Sequence, residues 1–254
     1  MYTLAYPVTL PDDRAFHCDD RAVVPPIGTL RVSCREHKRD LPQIFNFTGF
    51  TDAESANAFA DQLAQAFQCA SLSIGHGFKL PDRAVTITEM SVFDGHTPSI
   101  FPTAIKAKPV TGVAYLTMSA HLATLSNQLG CAIESGAIDR LRNWPELATA
   151  VRLYSEAEFA GGATARFVVL LSALEVIVSG SGGKRGAVRR LVTDSIRKSG
   201  REDAKSVGKE IDRLYEARNA LVHEAHPVSM LQLDALAAIV RDTLRYLVDG
   251  KPPV

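Results

Sequence analysis

Apolar side chains recur along this chain in two rhythms, and the change from one to the other divides it. In the first half, short β-prone runs at Thr29–Val32, Ile44–Phe50 and Ala84–Glu89 are punctuated by Pro and Gly. They surround one predicted helix from about Asp52 to Ala70. Thr51 and Glu54 have the spacing of a capping box, and Ala56, Phe59, Ala60, Leu63 and Phe67 form its apolar face. A second helix is expected from about Leu116 to Leu129, where Met118, Leu122, Leu125 and Leu129 recur at helical steps. Residues 1–144 therefore read as an α+β domain.

After Asn143-Trp144-Pro145 the period becomes helical to the end, and proline suits the first turn of a new helix. Residues 145–254 read as an all-α domain. A lead-in helix from Glu146 to Phe159 ends before Gly161-Gly162, and a strongly apolar helix follows from Ala165 to Val178. A polar helix over Arg185–Lys198 and an amphipathic one over Asp203–His223 come next. The last helix opens on a Ser229/Gln232 capping box, runs on Leu233, Leu236, Val240, Leu244 and Leu247, and stops at Gly250 and Pro252. Four apolar stripes of this kind imply a helical bundle.

One residue breaks the pattern. Val207, Ile211, Leu214 and Leu221 mark the core face of the Asp203–His223 helix, and Arg218 falls inside that stripe. A permanent charge there is costly unless it is paired or opens onto a polar cleft. His223 lies five residues on, roughly 7.5 Å along and about 140° around an ideal helix, and Asn219 shares its face. Glu224-Ala225-His226-Pro227 supplies a stop signal, so the three residues sit at a helix end.

The hexapeptide Arg218-Asn219-Ala220-Leu221-Val222-His223 resembles the Arg-x-x-x-x-His signature of the HEPN superfamily, helical domains whose catalytic members are metal-independent ribonucleases. Arg166-Phe167-Val168-Val169-Leu170-Leu171-Ser172-Ala173-Leu174-Glu175 resembles the first long helix of the Apea-like branch, in which an arginine-aromatic opening leads to Ala-Leu-Glu. The two segments stand in the family's order and cover the C-terminal part of the chain only.

The resemblance implies an α+β domain followed by an all-α HEPN-like bundle, acting as a homodimer with a composite cleft. Its catalytic residues would be Arg218, His223, Asn219 and Glu175, its substrate RNA, and it would need no cofactor and no metal. An imidazole can take or give a proton near neutral pH, so His223 would deprotonate the ribose 2′-hydroxyl or protonate the leaving 5′-oxygen. Arg218 would stabilise the phosphorane oxygens, giving a cyclic 2′,3′-phosphate. Asn219 would orient His223 or a phosphate. Glu175, in so apolar a helix, is either solvent-facing or paired, with Arg218 the expected partner. Toxin or phage-defence effectors are the roles the superfamily suggests, with the first domain a sensor or regulator. The alternative is a non-catalytic HEPN module that dimerises or binds a nucleotide or RNA, Arg218 and His223 then serving helix-end or ion-pair roles.

The 254 residues carry 28 basic and 28 acidic side chains, so no global field draws nucleic acid, and any RNA contact is local. Lys184 to Lys209 holds nine basic residues against three acidic ones, an excess of six that includes Lys184, Arg185, Arg189 and Arg190. These four are the candidate RNA-binding residues. A solvated helix face is the alternative, because no aromatic side chains are interleaved to stack bases.

Cys18, Cys34, Cys69 and Cys131 are scattered, and the start Met1-Tyr2-Thr3-Leu4-Ala5-Tyr6-Pro7 lacks the features of a signal peptide, so a cytoplasmic location is expected. No apolar stretch reaches the length of a membrane span. Gly180-Ser181-Gly182-Gly183-Lys184 fails as a phosphate loop: its glycine spacing is wrong, Arg185 replaces Ser or Thr, and it follows a helix. His17-Cys18 with Cys34-Arg35-Glu36-His37 does not have paired zinc-ligand spacing.

Overall fold

In Tyr2-Thr3-Leu4-Ala5-Tyr6-Pro7-Val8 the large side chains alternate, and Leu4, Tyr6 and Val8 are all buried, as a half-buried strand requires. The computed structural model describes residues 2–10, 14–15, 21–24, 28–33, 43–75, 77–80, 86–89, 114–115, 118–180 and 183–250. Cys18, Cys34, His17 and His37 lie outside them, as do Ser181 and Gly182.

The chain divides into two compact units, Met1–Ala70 with Phe78–Glu134, and Ser71–Gly77 with Ser135–Val254. The expected boundary after residue 144 therefore falls within the second unit. Its extra members are a short helix before Pro145 and the segment Ser71–Gly77.

The first unit is built on an antiparallel sheet. Strands β1 (Tyr2–Val8), β3 (Arg21–Val24), β4 (Gly28–Ser33), β5 (Gln43–Phe50) and β6 (Thr86–Glu89) lie in the order β3-β4-β5-β1-β6. β2 (Arg14–Ala15) and β7 (Ala114–Tyr115) form a separate parallel pair. Leu4 faces Phe47 and Tyr6 faces Phe45 across the β1–β5 ladder. The β1–β6 ladder runs from Tyr2 opposite Glu89 to Ala5 opposite Thr86.

Helix α1 (Ala53–Ile74) covers the face that carries these aromatics. Phe67 stacks on Tyr6 at 5.7 Å and meets Phe45 and Phe78, while Phe59 meets Phe47 and Phe50. Ala56, Phe59, Leu63 and Phe67 are buried as expected, with Ala60 half-buried. The cap is one residue later than the sequence suggested. Asp52, not Thr51, accepts the Ser55 amide, at 2.7 Å, and Thr51 donates its hydroxyl to Asp52. A carboxylate satisfies an orphan amide more strongly than a hydroxyl does, and these bonds hold the Asp52 carboxyl below its ordinary pKa. Helix α2 (Met118–Glu134) lies against β3 and buries Leu122, Leu125 and Leu129.

The second unit has no strand among its described residues. Its helices are α3 (Ala137–Asn143), α4 (Pro145–Glu156), α5 (Ala163–Ile177), α6 (Lys184–Lys198), α7 (Ala204–Glu224) and α8 (Met230–Asp249). A 3-10 turn over Ala157–Phe159 follows α4. Pro145 takes the first turn of α4, and the Ser229/Gln232 box caps α8 as its sequence implied. α5 packs on α4 and α8, whereas α7 packs chiefly on α6. The core between them includes Leu147, Phe167, Leu174, Val188, Val192, Ile211, Leu214, Leu236 and Leu244, each worth about 1.5–3 kcal/mol for a Val, Leu, Ile or Phe. Gly208 lets α6 and α7 approach closely: a Cβ there would sit 2.8 Å from the Thr193 methyl. Among the described residues no helix is long and apolar enough to cross a membrane.

Candidate functional site

Burial along α7 ends abruptly just before the Arg218–His223 segment. Val207, Gly208, Ile211, Leu214 and Tyr215 are buried, and from Glu216 to Pro227 no residue is. Arg218 is exposed, although the sequence pattern put it on the core face, and Leu221 is only half-buried. The last turns of α7 outrun the core, so the guanidinium escapes the cost of desolvation there.

Asn219 and His223 are exposed on the same turns. Arg218 makes no ion pair among the described residues; its polar contact is with the neighbouring Asn219 Oδ1, at 3.5 Å. Glu224 is engaged by His226, whose Nδ1 lies 2.9 Å from its carboxylate, rather than by His223. The helix ends on Ala225 at φ 54°, with the amides of Ala225 and His226 both returning to the Ala220 carbonyl. A side-chain-bearing residue in that conformation costs about 1–2 kcal/mol, and Pro227 prevents the helix from continuing.

Glu175 is neither solvent-facing nor paired with Arg218. It lies near the end of α5 with its side chain 17% exposed, accepting the Tyr215 hydroxyl on Oε1 at 3.1 Å. Its Oε2 faces the Lys184 ammonium at 3.7 Å. Tyr215 sits one turn before Arg218 and so meets α5 first, while Lys184 opens α6 close to where α5 stops. Burial pushes the Tyr215 phenol well above its ordinary pKa, the Glu175 charge and hydrogen bond adding to it; Arg218 and Arg185 oppose the shift from within electrostatic reach. The hydroxyl is thus a permanent donor.

The four basic candidates are not equivalent. Arg185 is bound to Asp212 at 3.0 Å and to Glu216 at 3.1 Å, which raises its pKa, and Arg189 is bound to Asp212 at 3.0 Å. Lys184 is 61% exposed and loosely held by Glu175. Arg190 is exposed, with no ion pair among the described residues. The neutralising acids belong to α7, just past the run of residues counted from the sequence. Asp212 and Glu216, one turn apart on a helix facing a basic one, were the available signal.

Tyr215 was also missed. Its spacing of three from Arg218 places both on one face of α7. Among the described residues no cluster of His, Cys, Asp or Glu is arranged to hold a metal ion.

The assembled site is an exposed guanidinium and imidazole at the end of one helix, with a partly buried carboxylate held nearby by a phenol. Large apolar side chains are exposed on the same α7–α8 hairpin: Val222 at 59%, Met230 at 59% and Leu231 at 83%. Comparison of the chain with family models, curated proteins and solved structures finds no match.

Proposed function

We propose that the helical unit is a metal-independent endoribonuclease of the HEPN type, working as a homodimer. The observation that carries this reading is that Arg218 and His223 are both exposed, and neither is paired with an acid among the described residues. Where Arg166, Arg185, Arg189 and Arg201 each find a carboxylate, an uncommitted guanidinium within five residues of an uncommitted imidazole fits a phosphodiester better than a structural role. The ribose 2′-oxygen attacks phosphorus as its proton passes to an imidazole. The P–O5′ bond breaks and the 5′-oxygen is protonated, leaving a cyclic 2′,3′-phosphate and a 5′-hydroxyl. Arg218 binds the phosphorane oxygens. A defence or toxin role follows from the family resemblance alone, with the α+β unit as its sensor.

The test incubates a labelled RNA pool with wild-type protein and with His223→Ala, in EDTA. Expected are fragments ending in cyclic phosphate, formed at least about a hundredfold more slowly by the variant. Folded, dimeric wild-type protein that leaves the RNA intact would overturn the reading. The exposed Val222, Met230 and Leu231 favour a second reading in that event, a dimerisation or RNA-binding module without turnover.

A further inference from the structure

Glu175 accepts the Tyr215 hydroxyl, and Arg218 stands three residues on along the same face of α7 without an ion pair among the described residues. Glu175 is mostly buried and Arg218 is uncommitted, and the Tyr215 phenol feels the charges of both. A half-desolvated carboxylate ordinarily takes a bidentate arginine where one is in reach, since that pair satisfies both oxygens. Here Oε1 accepts the Tyr215 hydroxyl, and Oε2 faces the Lys184 ammonium at 3.7 Å. The ring of Tyr215 is 5% exposed, so its hydroxyl is fixed by packing and cannot swing away.

We propose that Tyr215 is a positioning residue whose hydroxyl holds the Glu175 carboxylate toward Lys184, keeping it off Arg218 and leaving that guanidinium free for the phosphate of a nucleic acid. Glu175 is then also a positioning residue, because its carboxylate is turned to Tyr215 and Lys184 rather than to Arg218. The role of Arg218 rests on the nuclease reading; the pairing choice itself does not. Removing the hydroxyl strands Oε1 in a poorly solvated place, and Arg218 is the uncommitted cation one turn along the same face of α7. The carboxylate turns to it and cancels the charge that phosphate requires.

The experiment compares wild type, Tyr215→Phe and Tyr215→Phe/Glu175→Gln by two readouts. The first is the Arg218 Nε–H resonance in ¹⁵N-labelled protein, assigned with Arg218→Lys. It is expected to shift and become protected from exchange in Tyr215→Phe, and to return to its wild-type state in the double variant. The second is RNA cleavage, expected to fall at least about tenfold in Tyr215→Phe, the scale of losing one hydrogen bond to a charged group, and to recover most of that loss in the double variant. Rescue by a second substitution is what a merely structural tyrosine would not give. An unmoved Arg218 resonance in folded Tyr215→Phe overturns the proposal whatever the activity. A wild type that does not cleave RNA overturns the nuclease reading, while the resonance still decides the pairing.

Discussion

The Arg185 guanidinium on α6 lies 3.0 Å from the Asp212 carboxylate on α7, and the same carboxylate holds Arg189 through its other oxygen. A single acid thus removes two cations from a basic helix that by sequence offers an unopposed face. Asp212→Asn is expected to release Arg189 to solvent and to leave Arg185 held by Glu216 alone. RNA affinity should rise and its salt dependence steepen by about one ion, at roughly 0.7–0.9 per phosphate neutralised. Arg190→Ala should weaken binding and flatten the slope by about one ion. Fluorescence anisotropy over a series of salt concentrations measures both; equal slopes in all three proteins would make α6 a solvated face and nothing more.

The apolar end of the α7–α8 hairpin gives an independent test of the proposed homodimer. Leu231, at 83% exposed, stands in the first turn of α8 just after the Ser229 cap, so it contributes little to the fold of one chain. An aspartate there suits the helix N-terminus, where negative charge is worth about 0.3–1 kcal/mol. Leu231→Asp is therefore expected to leave the melting temperature of the monomer unchanged or slightly raised, yet to shift sedimentation from dimer to monomer. A dimer that survives Leu231→Asp with Met230→Asp does not use this face.

Gly77 is packed where no side chain fits. A Cβ there would lie 2.0 Å from the Ser155 carbonyl oxygen, and the Gly77 amide donates to Glu158 at 2.8 Å. Glu158 also holds Arg166, at 3.3 Å. Gly77→Ala must move the backbone and strain both bonds, costing about 1–3 kcal/mol or more in urea unfolding of the helical unit. Gly161→Ala, with open space around it, should stay within about 0.5 kcal/mol of wild type. Similar losses in both variants would mean that residues 71–77 are not held in the way the Glu158 contacts indicate.

Local signals were legible in the sequence, and signals that depend on which helix faces which were not. The last helix was readable because its cap, stripe and terminal glycine all lie within its own residues. The cap of α1 slipped by one, since Thr51 and Asp52 are both good caps and the motif favours a Ser or Thr start. β1 is not among the β-prone runs the sequence suggests, although Leu4, Tyr6 and Val8 alternate. α3 is only seven residues long and lies before the proline that drew the boundary. Arg218 falls in the apolar stripe by sequence yet is exposed, because α7 outruns its core, and that is a property of packing. The Tyr215–Glu175 bond joins residues 40 apart, and the Asp212 pairs join α7 to α6, so none could be read from spacing on one helix.

Alkaline pH probes the two cores through their tyrosines. Burial pushes Tyr6 and Tyr154 each up to about 12 and Tyr215 higher still, against an ordinary phenol value of 10.0. Below pH 10 these phenols are neutral in native and unfolded chains alike, so their contribution to stability is fully present. Between pH 10 and 12 the unfolded chain loses protons that the native one keeps, and stability falls by about 1.4 kcal/mol per pH unit for each group. Unfolding in urea at about pH 11 should therefore raise the tyrosinate absorbance by about two and a half of the six tyrosines. Tyr6→Phe should blunt the alkaline loss in the sheet unit and Tyr154→Phe that in the helical unit, each leaving the other transition where it was. Native protein that titrates all its tyrosines near pH 10 would mean that these phenols reach water and that neither core is closed around them.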